Sequence, residues 1–174
     1  MTVKNAYPEL KEVPFVKTQI DEQLVIAYIA AMPILREIKR AAYIFFCNES
    51  AHGKAGVNDN YGGIQADGSR WNKMFDTMIV ATTVTPENMT GDERRFCVFD
   101  KWQSSIYMLV YKVQQRGIFI GGYAHPYALM EPHNPADFAK AYWDEWVKGD
   151  SSTPPTGEVE DIVNQYNKAA QLFK

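Results

Sequence analysis

A chain of 174 residues that is 46% hydrophobic can enclose one sizeable core, and residues 1–174 are expected to form a single domain. A formal charge of -3 excludes nucleic-acid binding through a broad cationic surface, so an anionic polymer would have to be held by local contacts. No apolar run approaches the length of a membrane span.

The first residues, Met1 to Pro8, lack a basic stretch followed by a long apolar one, so no secretory signal is expected in the chain as given. From Thr18 to Ala31, the apolar residues Ile20, Leu24, Ala27, Tyr28 and Ala31 follow helical spacing, and the early acids Asp21 and Glu22 suit the positive end of a helix dipole. Pro33 fits the first turn of a second helix, whose stripe Ile34, Ile38, Ala41, Ala42, Phe45 and Phe46 runs to Asn48. Glu49 then falls at the C-terminal end of that helix.

Between Gly53 and Thr90 the pattern is irregular and rich in Gly, Asn and Asp, with β-branched pieces such as Met78 to Val84. A small β-lobe is expected there, joined by one more strand from Arg94 to Asp100. Helix returns from Gln103 to Gln115, with Ile106, Leu109, Val110 and Val113 inward. Gly121-Gly122 reads as a turn, and Asn134-Pro135 opens a helix through Phe138, Ala139, Tyr142, Trp143 and Trp146. After the stiff connector Ser151 to Pro155, a last amphipathic helix carries Val159, Ile162, Val163, Tyr166, Ala170 and Phe173.

Chemistry concentrates where the second helix ends. A glutamate that leaves an apolar helix for a polar loop is expected to be partly desolvated at the floor of a cleft, and desolvation favours the protonated acid that glycosidic cleavage requires. Glu49-Ser50 is followed by the glycine-punctuated run Ala51-His52-Gly53-Lys54-Ala55-Gly56 and then by Asn60-Tyr61-Gly62-Gly63-Ile64-Gln65. The glycines allow close backbone approach or a turn with positive φ. Cys47 and Cys97 read as two buried free thiols, with a disulfide between them as the alternative. Neither cysteine has a metal-ligand spacing, and His52, His125 and His133 are scattered without an HExxH companion.

The ordered series of a helix ending in Glu-Ser, a short glycine-containing loop and the Asn60-to-Gln65 element resembles the lysozyme-like superfamily, in particular bacterial lytic transglycosylases and peptidoglycan glucosaminidases. Phe96-Cys97-Val98-Phe99-Asp100 followed by Ser104-Ser105-Ile106 is similar to the strand-then-helix segment of the glucosaminidase group, so the resemblance spans residues 33–116, with the C-terminal helices over 135–174. It implies an α+β, mainly α fold, with a helical lobe and a small β-lobe flanking a cleft. It also implies a peptidoglycan glycan strand as partner, with Glu49 as general acid and then base. Glu87, just before the Phe96 strand, is similar in place to a second catalytic carboxylate of the glucosaminidase group, with Asp67 and Glu93 as rivals. Ser50 either orients a substrate acetamido group or ties down the helix end, and Tyr61 and Gln65 offer hydrogen bonds to sugar hydroxyls.

His52 and Lys54 depart from the family pattern, and Gln65 is closer to the transglycosylase version, which leaves the bond specificity open. No metal or organic cofactor is implied. Cell-wall action would place the protein outside the cell, in the periplasm or on a virion, with a virus particle or secretion apparatus as carrier. A non-catalytic glycan-binding or virion structural module is the alternative to an enzyme.

Overall fold

The structure is a computed structural model that describes residues 3–86, 91–116, 135–143 and 155–174. Among the described residues are five α-helices, one 3-10 turn and two two-stranded antiparallel sheets, which makes the fold α+β and mainly α. In chain order these are β1 (Lys17–Thr18), α1 (Glu22–Ala31), α2 (Arg36–Ser50), β2 (Gly56–Val57), the 3-10 turn (Lys73–Phe75), β3 (Ile79–Pro86), β4 (Glu93–Phe99), α3 (Trp102–Arg116), α4 (Pro135–Tyr142) and α5 (Thr156–Leu172). No helix among the described residues is long and apolar enough to cross a membrane.

The first helix starts four residues later than its periodicity suggests. Asp21 Oδ1 accepts the Gln23 N–H at 2.9 Å, the bond of an N-cap, so helical geometry begins at Glu22. Thr18 instead lies in β1, where Lys17 pairs with Val57 and Thr18 with Gly56. The buried residues of α1 are Val25 and Ile29, whereas Leu24 is 54% exposed. The sequence EQLVIAYIAA is apolar almost all round, so spacing alone cannot choose its inner face. Pro33 sits in a bend before α2 rather than in its first turn.

The chain divides into two compact units, Met1–Val25 with Phe46–Leu109 and Ile26–Phe45 with Val110–Lys174. In the first, β3 and β4 form a hairpin in which Thr82 faces Cys97 and Pro86 faces Glu93, with a bulge between Ile79 and Ala81. Arg95, Cys97 and Phe99 alternate inward along β4. Residues near the N-terminus join this sheet: the Thr82 N–H donates to Lys11 O at 3.0 Å, and the Val13 N–H donates to Thr82 O at 2.9 Å. Tyr7, Phe46, Tyr61, Phe75 and Ile106 are fully buried here, and Phe46 meets Tyr61 with ring centroids 6.5 Å apart. Burying each such side chain contributes about 1.5–3 kcal/mol.

The second unit is held by aromatic packing. Tyr43 meets Phe173 edge-on at 5.9 Å, Phe45 meets Tyr142 at 5.0 Å, and Phe138 meets Tyr166 at 5.2 Å. Arg40 Nε donates to Phe173 O at 2.9 Å and so satisfies a carbonyl at the end of α5. Within α5 the buried small residue is Ala169 rather than Ala170. The Gly121-Gly122 turn, Trp146 and the connector up to Pro154 lie outside the described residues.

Candidate active site

Residues 41–47 of α2 are all buried, so this stretch of the helix is enclosed on every face. The last turn then emerges: Asn48 and Glu49 are exposed, and Ser50 turns back inside. Its hydroxyl donates to Phe46 O at 2.6 Å and accepts the Gly53 N–H at 3.0 Å. Of the two readings for Ser50, the geometry is that of the tie at the helix end, because the hydroxyl is fully buried and bonded on both sides.

The helix stops through a left-handed excursion. Ala51 and His52 have φ of 48° and 58°, and the His52 N–H returns to Cys47 O at 2.9 Å. Gly53 follows at φ 85°, where an added Cβ would lie 2.6 Å from Ile20 O. Both packing and dihedral therefore require glycine there.

The Asn60-to-Gln65 segment is built around the Asn60 amide. Asn60 is buried, its Nδ2 donates to Ile64 O at 2.8 Å and Cys97 O at 3.0 Å, and its Oδ1 accepts the Gly62 and Ile64 N–H groups. All four bonds of one side chain are used to curl the loop and pin it to β4. The Cys97 N–H adds a bond to Ile64 O at 3.0 Å, and the Tyr61 N–H donates to Ser105 Oγ at 3.2 Å near the start of α3. The separate motif elements of the sequence thus meet within one unit.

That curl presents Gly63 to Glu49. Gly63 has φ 59°, and a Cβ added to it would overlap Glu49 Oε2 and lie 3.0 Å from Glu49 Cδ. The carboxyl therefore rests against bare backbone at a position where only glycine leaves it room. Both residues line a pocket of about 350 Å3 whose wall also includes Phe15, Lys17, Asn60, Gln65, Thr85, Pro86 and Phe96. Every lining residue belongs to the first unit.

The expectation of a partly desolvated Glu49 is corrected: the residue is exposed on the pocket wall, because it occupies the outer side of the last turn of α2. Gln65 lines the same pocket, and its backbone is fixed by Trp71 Nε1, which donates to Gln65 O at 2.7 Å. Trp71 is held in turn by its N–H bond to the Tyr7 hydroxyl at 3.1 Å, a hydroxyl whose pKa burial pushes up to about 12. Tyr61, expected to offer a hydrogen bond to sugar, is 1% exposed and sits beneath the loop against Phe46. Burial raises its phenol above the ordinary value, against a smaller opposing effect from its bond to Thr18.

Glu87 lies outside the described residues. Of its rivals, Asp67 is committed to Arg94, with Oδ2 2.5 Å from Nε and Oδ1 3.3 Å from Nη2. Burial works to raise the Asp67 carboxyl, but the hydrogen bond and charge of Arg94 outweigh it and hold the group below its ordinary value. Glu93 is exposed at the start of β4. Cys47 and Cys97 are buried thiols not joined in a disulfide, and burial, reinforced by the Asp67 charge, pushes the Cys97 thiol up to about 12. Lys17, Phe15 and Thr85 are pocket residues that sequence reasoning missed. Lys17 is brought in by a two-residue strand too short to leave a periodic pattern.

No protein-family model matches the chain, nor does any curated protein sequence. Among solved structures, the chain is similar to a peptidoglycan hydrolase from Sphingomonas sp. A1, with 16% identity over 86% of each chain and a TM-score of 0.47. It is also similar to the catalytic domain of the autolysin Auto from Listeria monocytogenes, with 17% identity over 90% of each chain and a TM-score of 0.46.

Proposed function

We propose that this chain is a peptidoglycan-cleaving glycosidase or lytic transglycosylase, acting as one domain on alternating amino-sugar strands. The observation that carries the reading is the Glu49 carboxyl seated against Gly63 in an open pocket, at the end of a helix and beside Gln65. Glu49 would give its proton to the glycosidic oxygen as the sugar C1–O bond breaks and C1 takes on oxocarbenium character. The same carboxylate would then accept a proton, either from an attacking water or from a hydroxyl of the sugar itself, which closes an anhydro ring. A glycan seated in the pocket would exclude water from the exposed acid.

Gln65 would hydrogen-bond sugar hydroxyls, Phe15 and Phe96 would offer apolar faces to the rings, and Lys17 would meet the carboxylate of a muramic acid. Lys17 would then be the local contact by which a chain of net charge -3 holds an anionic polymer. Glu87 follows pocket-lining Pro86 in sequence and is proposed as the second carboxylate of a hydrolytic reaction. Ser50 and Tyr61 support the site from beneath in this reading.

The test is digestion of purified peptidoglycan with the parent chain and with Glu49→Gln, followed by mass spectrometry of the products. A reducing muramic acid, a reducing glucosamine and an anhydro end distinguish the three outcomes. General acid catalysis contributes about 10²- to 10⁴-fold, so Glu49→Gln should lose at least about 100-fold. Binding without new ends, by the parent as by the variant, would instead identify a glycan-binding module.

A further inference from the structure

On the inner side of the last turns of α2, three side chains of metal-ligating type converge: Glu22 from the first turn of α1, Cys47 from α2 and His52 from the left-handed excursion. His52 Nδ1 lies 3.2 Å from Glu22 Oε1, Cys47 Sγ lies 4.0 Å from the same oxygen, and all three donor atoms fall within 4.8 Å of one another. The positive φ of Ala51 and His52 produces this meeting, because it folds the chain back onto Cys47 through the bond from the His52 N–H to Cys47 O. Nothing in the linear spacing 22, 47 and 52 announces it.

We propose that Glu22, Cys47 and His52 form a three-ligand site for a thiophilic divalent ion of the Zn²⁺ type, with water as the fourth ligand. Zinc bonds of about 2.0–2.3 Å place tetrahedral ligands roughly 3.3–3.7 Å apart, a spacing that the 3.2 and 4.0 Å separations bracket. A thiolate and an imidazole select against Ca²⁺ and Mg²⁺, which take oxygen ligands. Charge also fits: one thiolate and one carboxylate balance the two positive charges of the ion, so the loaded site is neutral. On loading, the S–H bond of Cys47 breaks, its proton passes to solvent and its electron pair forms the bond to the metal. The imidazole binds neutral through Nδ1 and keeps its proton on Nε2. Cys47 is buried, but the side chain of His52 is 41% exposed, which gives the ion a way in.

The ion would lie apart from the Glu49 carboxyl. Cys47 and Glu49 are two residues apart on a helix, about 200° around its axis, so the ion and the acid occupy different faces. Loading would join the start of α1, the end of α2 and the following loop at one point, and so brace the turn from which Glu49 projects.

The experiment uses the untagged full chain, stripped with a chelator and titrated with Co²⁺ alone and then Zn²⁺ alone. One equivalent of Co²⁺ should produce a thiolate-to-cobalt charge-transfer band and the intense visible bands of tetrahedral cobalt, and Zn²⁺ should abolish both. At a hundredfold excess over its dissociation constant, Zn²⁺ should raise the unfolding temperature by roughly 5 °C or more. Cys47→Ser and His52→Asn should each remove the bands, and Cys97→Ser should keep them. Asn tolerates the left-handed region, so His52→Asn decides the matter even where Cys47→Ser does not fold. Absence of the charge-transfer band in the parent, or its persistence in His52→Asn, would mean that the 3.2 Å contact between His52 and Glu22 holds no metal and would overturn the proposal.

Discussion

Gly63→Ala separates the position of the Glu49 carboxyl from its chemistry. The added methyl would overlap Glu49 Oε2, with Cδ 3.0 Å away and Cγ 3.7 Å away. Carbon atoms in ordinary contact stand about 3.5–4.0 Å apart, so the carboxyl must retreat by roughly 1 Å or more. It is the far end of a flexible side chain on an exposed residue, and its retreat therefore costs little stability. The larger cost is backbone: φ at 63 is 59°, and holding an L-residue there costs about 1–2 kcal/mol. For a chain of this size that lowers the unfolding temperature by about 2–8 °C.

Activity should fall much further than stability, because a misplacement of about 1 Å in a catalytic group can cost on the order of 100-fold in rate. The assay is the rate of new chain ends from purified walls, beside thermal unfolding followed by circular dichroism. Gly63→Asn brings the same Cβ with less backbone strain, since Asn tolerates the left-handed region, and should be nearly as inactive but more stable. Gly68→Ala is the neutral control, because an added Cβ there meets nothing within 4 Å. A folded Gly63→Ala or Gly63→Asn that cleaves at the parent rate would refute the argument that the contact between Gly63 and Glu49 defines a working site.

Lys17→Met should raise KM for muramic-acid-containing strands by up to about fivefold, with kcat changed less and the difference shrinking at high salt. Because Arg94 holds the Asp67 pKa below the ordinary 3.8, the stabilisation it brings is complete above that value and disappears as pH falls through the lower folded value. Asp67→Asn should accordingly cost about 1.5–3 kcal/mol in urea unfolding at neutral pH and converge with the parent in strong acid; an equal gap at both would contradict the assignment. Ala51→Gly should stabilise by up to about 1 kcal/mol, because Ala51 is exposed and held at φ 48°, and a lowered unfolding temperature would count against that strain.

What the sequence could and could not disclose follows from the range of the interactions involved. The end of α2 near Glu49, the strands β3 and β4 and the inward face of α3 were legible because each rests on a local pattern: a buried stripe, β-branched runs, 3.6-residue spacing. The inner face of α1 was not legible, since its apolar residues leave no polar side to mark the outside. The strand β1 was not legible either, because Lys17 and Thr18 find partners about forty residues away, at Val57 and Gly56.

The same division runs through the site. Glu49 and Gln65 were singled out from an ordered motif, and both line the pocket, yet the motif does not say which of its polar atoms point outward. Asn60, Ser50 and Tyr61 are as polar as Gln65, but their hydrogen bonds or rings are used inside, to hold a loop whose product is the exposed carboxyl. A motif residue that builds the site and one that touches the substrate are alike in sequence. They differ in what their polar atoms already bond, and for Asn60 that count is complete within the loop itself.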